Sequence, residues 1–192
     1  NLAPKRTGGF KMPDFAKKDR PLTGAEKGVA THLLLQYMDF SKGGSEAGIR
    51  EQAELLLDRG FISRREAEAV DVKAVRKLFD SELGRRIMSC EKVLREFRFS
   101  LLCDAGDIYG QAAGEKLLLQ GVVDCCLEEP DGLVIIDYKT DRLRSRDEIA
   151  RRSERYRAQL LSYAWAMERI QGKKVKQCLL YFISPGRAVE IK

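Results

Sequence analysis

The chain has 192 residues, of which 44% are hydrophobic, and this is enough apolar material for the core of one globular domain. No stretch approaches the roughly 18 apolar residues of a membrane span, and the first residues lack the apolar core of a secretory signal. Lys and Arg number 35 against 29 Asp and Glu, so the formal charge is +6. The basic residues are grouped in 5–20, 142–157 and 173–176, either as solvated faces or as patches that bind a polyanion.

Cysteine usage indicates a reduced, cytoplasmic protein. There are five cysteines, an odd number, with no Cys-x-x-Cys pair and no zinc-ligand spacing. Cys125 and Cys126 are adjacent, so on a strand they would point to opposite faces and could not share one cluster or one disulfide. We therefore expect free thiols and no iron–sulfur cluster.

Residues 1–22 are predicted to form a basic irregular arm or linker. Several Pro and Gly residues interrupt a lysine-rich stretch there, without an amphipathic period. A single domain is expected over residues 23–192. The chain does not begin with Met, so we also expect it to be a fragment of a longer protein or a processed form of one.

The first part of that domain, residues 23–90, is predicted to be helical. Apolar residues recur at helical spacing after Thr23, in 46–57 and in 63–83, and the first of these helices carries the single histidine, His32. Two capping boxes of the type Ser/Thr-x-x-Glu mark helix starts, namely Thr23 with Glu26 and Ser63 with Glu66. A Gly-rich break at 41–45 separates the first two helices.

The second part, residues 91–192, is predicted to hold the sheet. Strands are expected at 93–103, 116–126 and 133–140, because these segments alternate or run apolar between turn residues. A long amphipathic helix over 146–170 ends at Gly172, and a strand at 176–183 can then pair in parallel with the third strand through a crossover. The pattern predicts an α/β fold with a mixed central sheet flanked by helices.

Two carboxylates in this part are placed against apolar segments. Asp124 follows the apolar residues of 117–123 and Asp137 follows four consecutive apolar residues, so both are expected where a buried strand ends. Asp137 and Lys139 share a strand face, and the turn at 128–132 would bring Asp124 beside them on an antiparallel neighbour. The alternative is an exposed acid and lysine at a strand end. Burial of a carboxylate is costly, and a divalent cation between the acids would offset that cost.

Five sequence elements occur in an order that resembles the RecB-type nuclease family of the PD-(D/E)XK, or restriction-endonuclease-like, superfamily. They are His32 in Gly-Val-Ala-Thr-His, Glu96 in Arg-Glu-Phe, Asp124 in Gln-Gly-Val-Val-Asp, Asp137-Tyr138-Lys139, and Gln159 with Tyr163 as Q-x-x-x-Y. The resemblance covers most of the chain. Within the family, segments 119–125 and 136–142 are most similar to the C-terminal nuclease domains of AddA-type bacterial helicase-nuclease subunits.

This resemblance implies a restriction-endonuclease-like sheet and a Mg²⁺- or Mn²⁺-dependent deoxyribonuclease. It would act on single-stranded DNA during double-strand-break processing and recombinational repair, as an exonuclease, and endonuclease activity is also compatible with it. The implied partners are DNA, helicase domains of the same parent chain and a second, AddB-like subunit, with no membrane. Cas4-type and AddB relatives carry cysteines for an iron–sulfur cluster that this sequence lacks, which favours the AddA type.

The resemblance also implies roles for individual residues. Asp124, Asp137 and Lys139 form the catalytic group, and His32, Asp124, Asp137 and the backbone carbonyl of Tyr138 hold one or two metal ions. Glu96 supports these ligands or is a surface acid. Gln159, Tyr163, Arg142 and Lys27 are the expected DNA contacts, with core packing as the alternative for Tyr163.

Two other functions are compatible with the same residues. One is a catalytically silent DNA-binding or scaffolding module of a helicase-nuclease complex; the intact Asp124, Asp137 and Lys139 argue against it. The other is a free-standing nuclease, against which the AddA-like motifs argue.

Overall fold

A computed structural model describes residues 21–109 and 114–192, so the arm predicted for 1–22 lies almost wholly outside the described residues. Seven helices, a short 3₁₀ turn at Phe40–Lys42 and five strands follow in that part of the chain. The helices are α1 (Gly24–Tyr37), α2 (Glu46–Asp58), α3 (Arg64–Ala69), α4 (Val72–Asp80), α5 (Glu82–Ser89), α6 (Gly106–Tyr109) and α7 (Arg146–Gln171). The strands are β1 (Val93–Asp104), β2 (Lys116–Glu129), β3 (Gly132–Lys139), β4 (Val175–Phe182) and β5 (Arg187–Ile191).

The strands form one mixed sheet in the order β1-β2-β3-β4-β5. The pairs β1/β2, β2/β3 and β4/β5 are antiparallel, whereas β3 and β4 are parallel and are joined by α7. The predicted α/β class with a mixed sheet and a helical N-terminal part is confirmed. The sequence pattern does not predict edge strand β5, because it has five residues and only Ile191 among them is buried.

Helices cover both faces of the sheet, so the protein has two apolar layers. Helices α1–α5 pack on one face, against side chains such as Val134, Ile136 and Tyr138 of β3. Helix α7 packs on the other face, against Leu133 and Ile135. Strand β3 is buried on both sides, which explains its nearly continuous apolar sequence.

The local signals for helix starts are confirmed at both capping boxes, at Thr23 and at Ser63. The segment 63–83, predicted to be helical, contains three separate helices, since α3 and α4 and the start of α5 lie in it. Asp71 accepts a hydrogen bond from the Ala74 amide, and Ser81 accepts one from the Gly84 amide, so each begins a new helix. The helical spacing of apolar residues continues across both caps, so it does not show where one helix ends and the next begins.

The cysteines are all free, and Cys125 and Cys126 lie in the two different apolar layers, as predicted. Within the described residues, no helix combines the length and apolar character that crossing a membrane requires.

Candidate functional site

The predicted acids lie at a fork in the sheet, where β2 and β3 separate. The β2/β3 ladder ends with Cys125 opposite Ile136, so Asp124 and Asp137 are the next residues on the two strands. The prediction that β2 ends near Asp124 is wrong, because the strand continues to Glu129. At Asp124, β2 stops pairing with β3. The residues of β2 that precede Asp124 pair with β1 alone.

Asp124 connects β2 to both β3 and α1. The Tyr138 backbone amide donates to Asp124 Oδ2 at 2.8 Å, and His32 Nδ1 lies 3.4 Å from Asp124 Oδ1. Burial lowers the pKa of His32, but its hydrogen bond to Asp124 and the nearby carboxylate charges outweigh this, so the pKa lies above its ordinary value. Asp124 therefore holds the imidazole of α1 at the sheet.

Asp137 is only 7% exposed. Lys139 Nζ lies 2.6 Å from its Oδ2, and apart from this ion pair that oxygen has no hydrogen-bond partner among the described residues. Burial, followed by the charge of Asp124, raises the pKa of Asp137 to about 6 against the opposing effect of Lys139. This carboxylate is therefore incompletely compensated, and additional positive charge at the fork would stabilise its ionised form.

The donor set fits a hard divalent cation. His32 offers an imidazole nitrogen, while Asp124 and Asp137 offer carboxylate oxygens, and such ligands suit Mg²⁺ or Mn²⁺. In the described ranges 21–109 and 114–192, no three His, Cys, Asp or Glu side chains surround a common point at ligand distance. Asp137 contacts Lys139, and Asp124 contacts the Tyr138 amide and His32, so each acid pairs with a donor of the chain itself.

Lys139 belongs to a further set of contacts that the sequence did not reveal. Its Nζ lies 4.0 Å from the centre of the Tyr156 ring, and the Tyr156 hydroxyl donates to Asp141 Oδ2 at 3.3 Å. Asp141 Oδ1 also pairs with Arg152 Nε at 3.2 Å. In the sequence, helical spacing assigns Tyr156 to the apolar face of α7 and does not indicate a contact with Lys139. The sequence does, however, place Tyr156 three residues before Gln159, so the two side chains share a helix face.

Glu96 lies opposite Asp124 in an irregular part of the sheet. Its neighbours pair normally, Arg95 with Cys125 and Phe97 with Val123, but Glu96 itself has φ of 51°. A side chain at positive φ is strained, and such strain is typical of functional sites. Burial and then the charge of Asp124 raise the pKa of the Glu96 carboxyl. Its role in supporting the ligands stays a prediction.

A cavity of about 690 Å³ lies over the fork, between α1 and α7. The predicted residues that line it are Lys27, His32, Asp124, Asp137, Tyr138, Lys139, Arg142 and Gln159. Glu96 and Tyr163 are not among its lining residues. Gln159 Nε2 donates to the Tyr163 hydroxyl at 2.9 Å, and the Tyr163 ring packs edge-on against Phe99. Tyr163 thus holds the Gln159 side chain at the cavity wall without lining the cavity itself.

Comparison with known proteins identifies relatives of this chain. Three relatives are described as the same subunit of an "ATP-dependent helicase/nuclease". The protein of Alkaliphilus metalliredigens is 42% identical over 183 residues, which are 94% of this chain and 15% of that protein. Those of Clostridium kluyveri and Acetivibrio thermocellus are each 37% identical, over 95% and 92% of this chain and 15% and 14% of their own lengths.

The chain therefore spans about 15% of the length of these relatives. The resemblance to nuclease domains of bacterial helicase-nuclease subunits, expected from the motifs, is confirmed. The sequence also matches the PD-(D/E)XK nuclease superfamily over residues 7–191, which include the whole fork and the sheet that carries it. With that match extending over nearly the full length, the chain belongs to the PD-(D/E)XK nuclease superfamily.

Proposed function

We propose that this domain hydrolyses phosphodiester bonds of single-stranded DNA in a reaction that depends on Mg²⁺ or Mn²⁺. The observation that carries the proposal is the fork, where Asp137 pairs with Lys139 one position beyond the last β2/β3 ladder pair and Asp124 stands opposite. A nuclease is the activity of the superfamily, and its members generally use divalent metal ions.

The ligands in this proposal are His32, Asp124, Asp137 and the backbone carbonyl of Tyr138. A bound divalent ion supplies a nucleophilic water at neutral pH and stabilises charge on the attacked phosphate. The Asp137 carboxylate, whose Oδ2 pairs with Lys139 and has no other partner among the described residues, supports this assignment, as does the raised pKa of Asp137, since both reflect incomplete compensation of its charge.

Lys139 would act on the reacting groups. Its ammonium lies between the Asp137 carboxylate and the Tyr156 ring, at the wall of the cavity. A compact ammonium with three donors can orient the attacking water or neutralise a phosphate oxygen as negative charge develops there. Tyr156, fixed by its hydrogen bond to Asp141, limits the directions in which Lys139 can turn.

The DNA strand would be held by contacts to its phosphates and sugars. Arg142, Lys27 and Gln159 line the cavity and supply cationic and amide groups that are independent of base sequence. A cavity of about 690 Å³ has the size of a small-ligand site, so it would hold one or two nucleotides of a single strand rather than a duplex.

The relatives suggest the setting in which the domain works. Their description names a helicase beside a nuclease, and this chain matches about 15% of their length. The proposed partners are accordingly helicase domains of the same parent chain, which would feed a strand to the fork, and a second protein of the AddB type. The proposed process is cytoplasmic double-strand-break processing and recombinational repair.

Cleavage of a labelled oligonucleotide tests the proposal. The 192-residue chain is incubated with single-stranded and duplex forms of one sequence, in Mg²⁺, in Mn²⁺ and in EDTA. Metal-dependent cutting that is faster on the single strand is expected. Binding of DNA without cutting in either ion would instead support the silent scaffolding module.

A further inference from the structure

A second cavity, of about 350 Å³, lies beside the fork and is rich in arginine. It is lined by Arg142, Leu143, Glu148, Arg151, Arg152 and Arg155. On α7, positions 151, 152 and 155 lie three, four and seven residues after Glu148, so they share one face of the helix with it. Arg142 reaches the same cavity from the loop between β3 and α7. We call this the arginine pocket.

Two acidic groups at the arginine pocket, Glu148 and Asp141, already have partners. The Glu148 carboxylate accepts hydrogen bonds from the backbone amides of Arg144, at 2.7 Å, and of Ser145. Asp141 pairs with Arg152 and accepts from Tyr156. Four guanidinium groups thus face two carboxylates, which leaves an excess of two positive charges.

The remaining three arginines make no contact ion pair with any described residue, although the charge of Arg151, after the backbone amides of Arg144 and Ser145, helps to lower the pKa of Glu148. In the part of the chain that the structure describes, Arg142, Arg151 and Arg155 form no ion pair, and all three are exposed. Guanidinium groups that converge around a cavity of this size match the geometry of a phosphate group, which accepts bidentate hydrogen bonds from arginine. An isolated surface arginine would not have this convergence.

The arginine pocket adjoins the site at the fork. Arg142 lines both cavities, and Asp141 links Arg152 of the pocket to Tyr156, which lies over Lys139. We propose that the arginine pocket binds a phosphate group of the strand being cut, adjacent to the scissile phosphate. This rests on the proposed nuclease function of the fork. The bound group is an internal phosphodiester or a terminal 5′-phosphate, which share this chemistry.

Binding without metal tests the pocket independently of catalysis. The double variant Arg151→Gln/Arg155→Gln removes two guanidinium groups, and the matched control Arg59→Gln/Arg64→Gln removes two exposed arginines outside the pocket lining. Fluorescence anisotropy with a single-stranded oligonucleotide in EDTA is measured over a range of salt concentrations. The pocket variant should bind about tenfold more weakly, and the slope of log K against log salt should become shallower by about 0.7, as expected for the loss of one phosphate contact. The control should keep the wild-type slope.

Two forms of the oligonucleotide identify the phosphate. If the pocket variant loses more affinity for a 5′-phosphorylated strand than for the 5′-hydroxyl strand, the group is the terminal phosphate. An equal loss indicates an internal phosphodiester. In the cleavage assay with Mn²⁺, the variant should show a raised KM and a kcat within about twofold of the wild type. This is expected because the lost contact binds the substrate and the transition state equally.

Equal affinity and salt slope in the pocket and control variants would overturn the inference, as would a wild-type chain that does not bind the oligonucleotide. The failure of the nuclease proposal gives a different result. A chain that binds through the arginine pocket but cuts nothing would keep this inference and lose the proposed function. A chain that cuts with unchanged affinity in the pocket variant would lose only the inference.

Discussion

Gly121 in β2 is predicted to be essential for the packing beneath the cavity wall. It lies opposite Phe99 in the β1/β2 ladder, under the Tyr163 ring of α7. A Cβ at this position would lie 2.5 Å from Tyr163 Cε1 and 2.8 Å from Phe99 Cζ. Carbon atoms in contact are normally about 3.5–4.0 Å apart. In Gly121→Ala, the Tyr163 ring must therefore retreat by about 1 Å.

The cost follows from this overlap. Inserting a methyl group into a well-packed core costs about 1–3 kcal/mol, and each kcal/mol lowers the Tm of a domain of this size by about 2–4 °C. We expect the Tm of Gly121→Ala to fall by about 2–12 °C. Tyr163 also holds Gln159 through a 2.9 Å hydrogen bond, so the cavity wall should move with the ring. A misplacement of about 1 Å can reduce a rate by up to about 100-fold, and we expect about tenfold slower cleavage.

Thermal unfolding and cleavage are measured side by side, with Gly44→Ala as the matched control. Gly44 is exposed, and a Cβ there would meet no atom within 4 Å, so this variant should stay within about 0.5 kcal/mol of the wild type. A double-mutant cycle with Tyr163→Ala isolates the overlap. In that background Gly121→Ala should cost less, with a coupling of about 0.5–3 kcal/mol.

Two results would refute this reasoning. One is a Tm for Gly121→Ala equal to that of Gly44→Ala. The other is a cost for Gly121→Ala that does not change when the Tyr163 ring is absent, since the cost would then arise elsewhere.

Two further predictions concern Glu96 and Glu129. Glu96→Gly should be about 1 kcal/mol more stable than Glu96→Ala in urea unfolding, because glycine adopts the φ of 51° without strain; equal stabilities would contradict this. Glu129 is bound by Arg86 and by Lys176, which together lower the pKa of its carboxyl from 4.5 to about 2. These pairings therefore stabilise the fold above pH 4.5 and are lost as the pH falls toward 2. Glu129→Gln should cost about 1–3 kcal/mol at pH 7 and much less at about pH 2.5, whereas a constant gap in urea unfolding would exclude this origin.

Elements with a strong local signal were predictable from the sequence. Strand β3 is buried on both faces, so its apolar run stands out, and α7 has both a long amphipathic period and Gly172 in the left-handed conformation at its end. The acids and Lys139 were predictable for the same reason, because polar residues directly after an apolar strand are conspicuous.

Features that depend on distant contacts could not be read in this way. The helical period across 63–83 conceals the caps at Asp71 and Ser81, since apolar residues keep their spacing on both sides of each break. The contact of Tyr156 with Lys139 joins residues of different elements, and no local sequence pattern indicates it. The irregular backbone at Glu96, which lies opposite Asp124, is likewise not indicated by the residues around it.

The most direct test of the site at the fork compares Lys139→Ala and Asp137→Asn with the wild type, in Mn²⁺ binding by calorimetry and in single-turnover cleavage of single-stranded DNA. Lys139→Ala should bind Mn²⁺ at least as tightly as the wild type, because a competing positive charge 2.6 Å from Asp137 is removed, yet it should lose cleavage. Asp137→Asn should lose both. If Lys139→Ala cuts DNA at the wild-type rate, or if Asp137→Asn retains metal-dependent cutting, the fork is not the catalytic site.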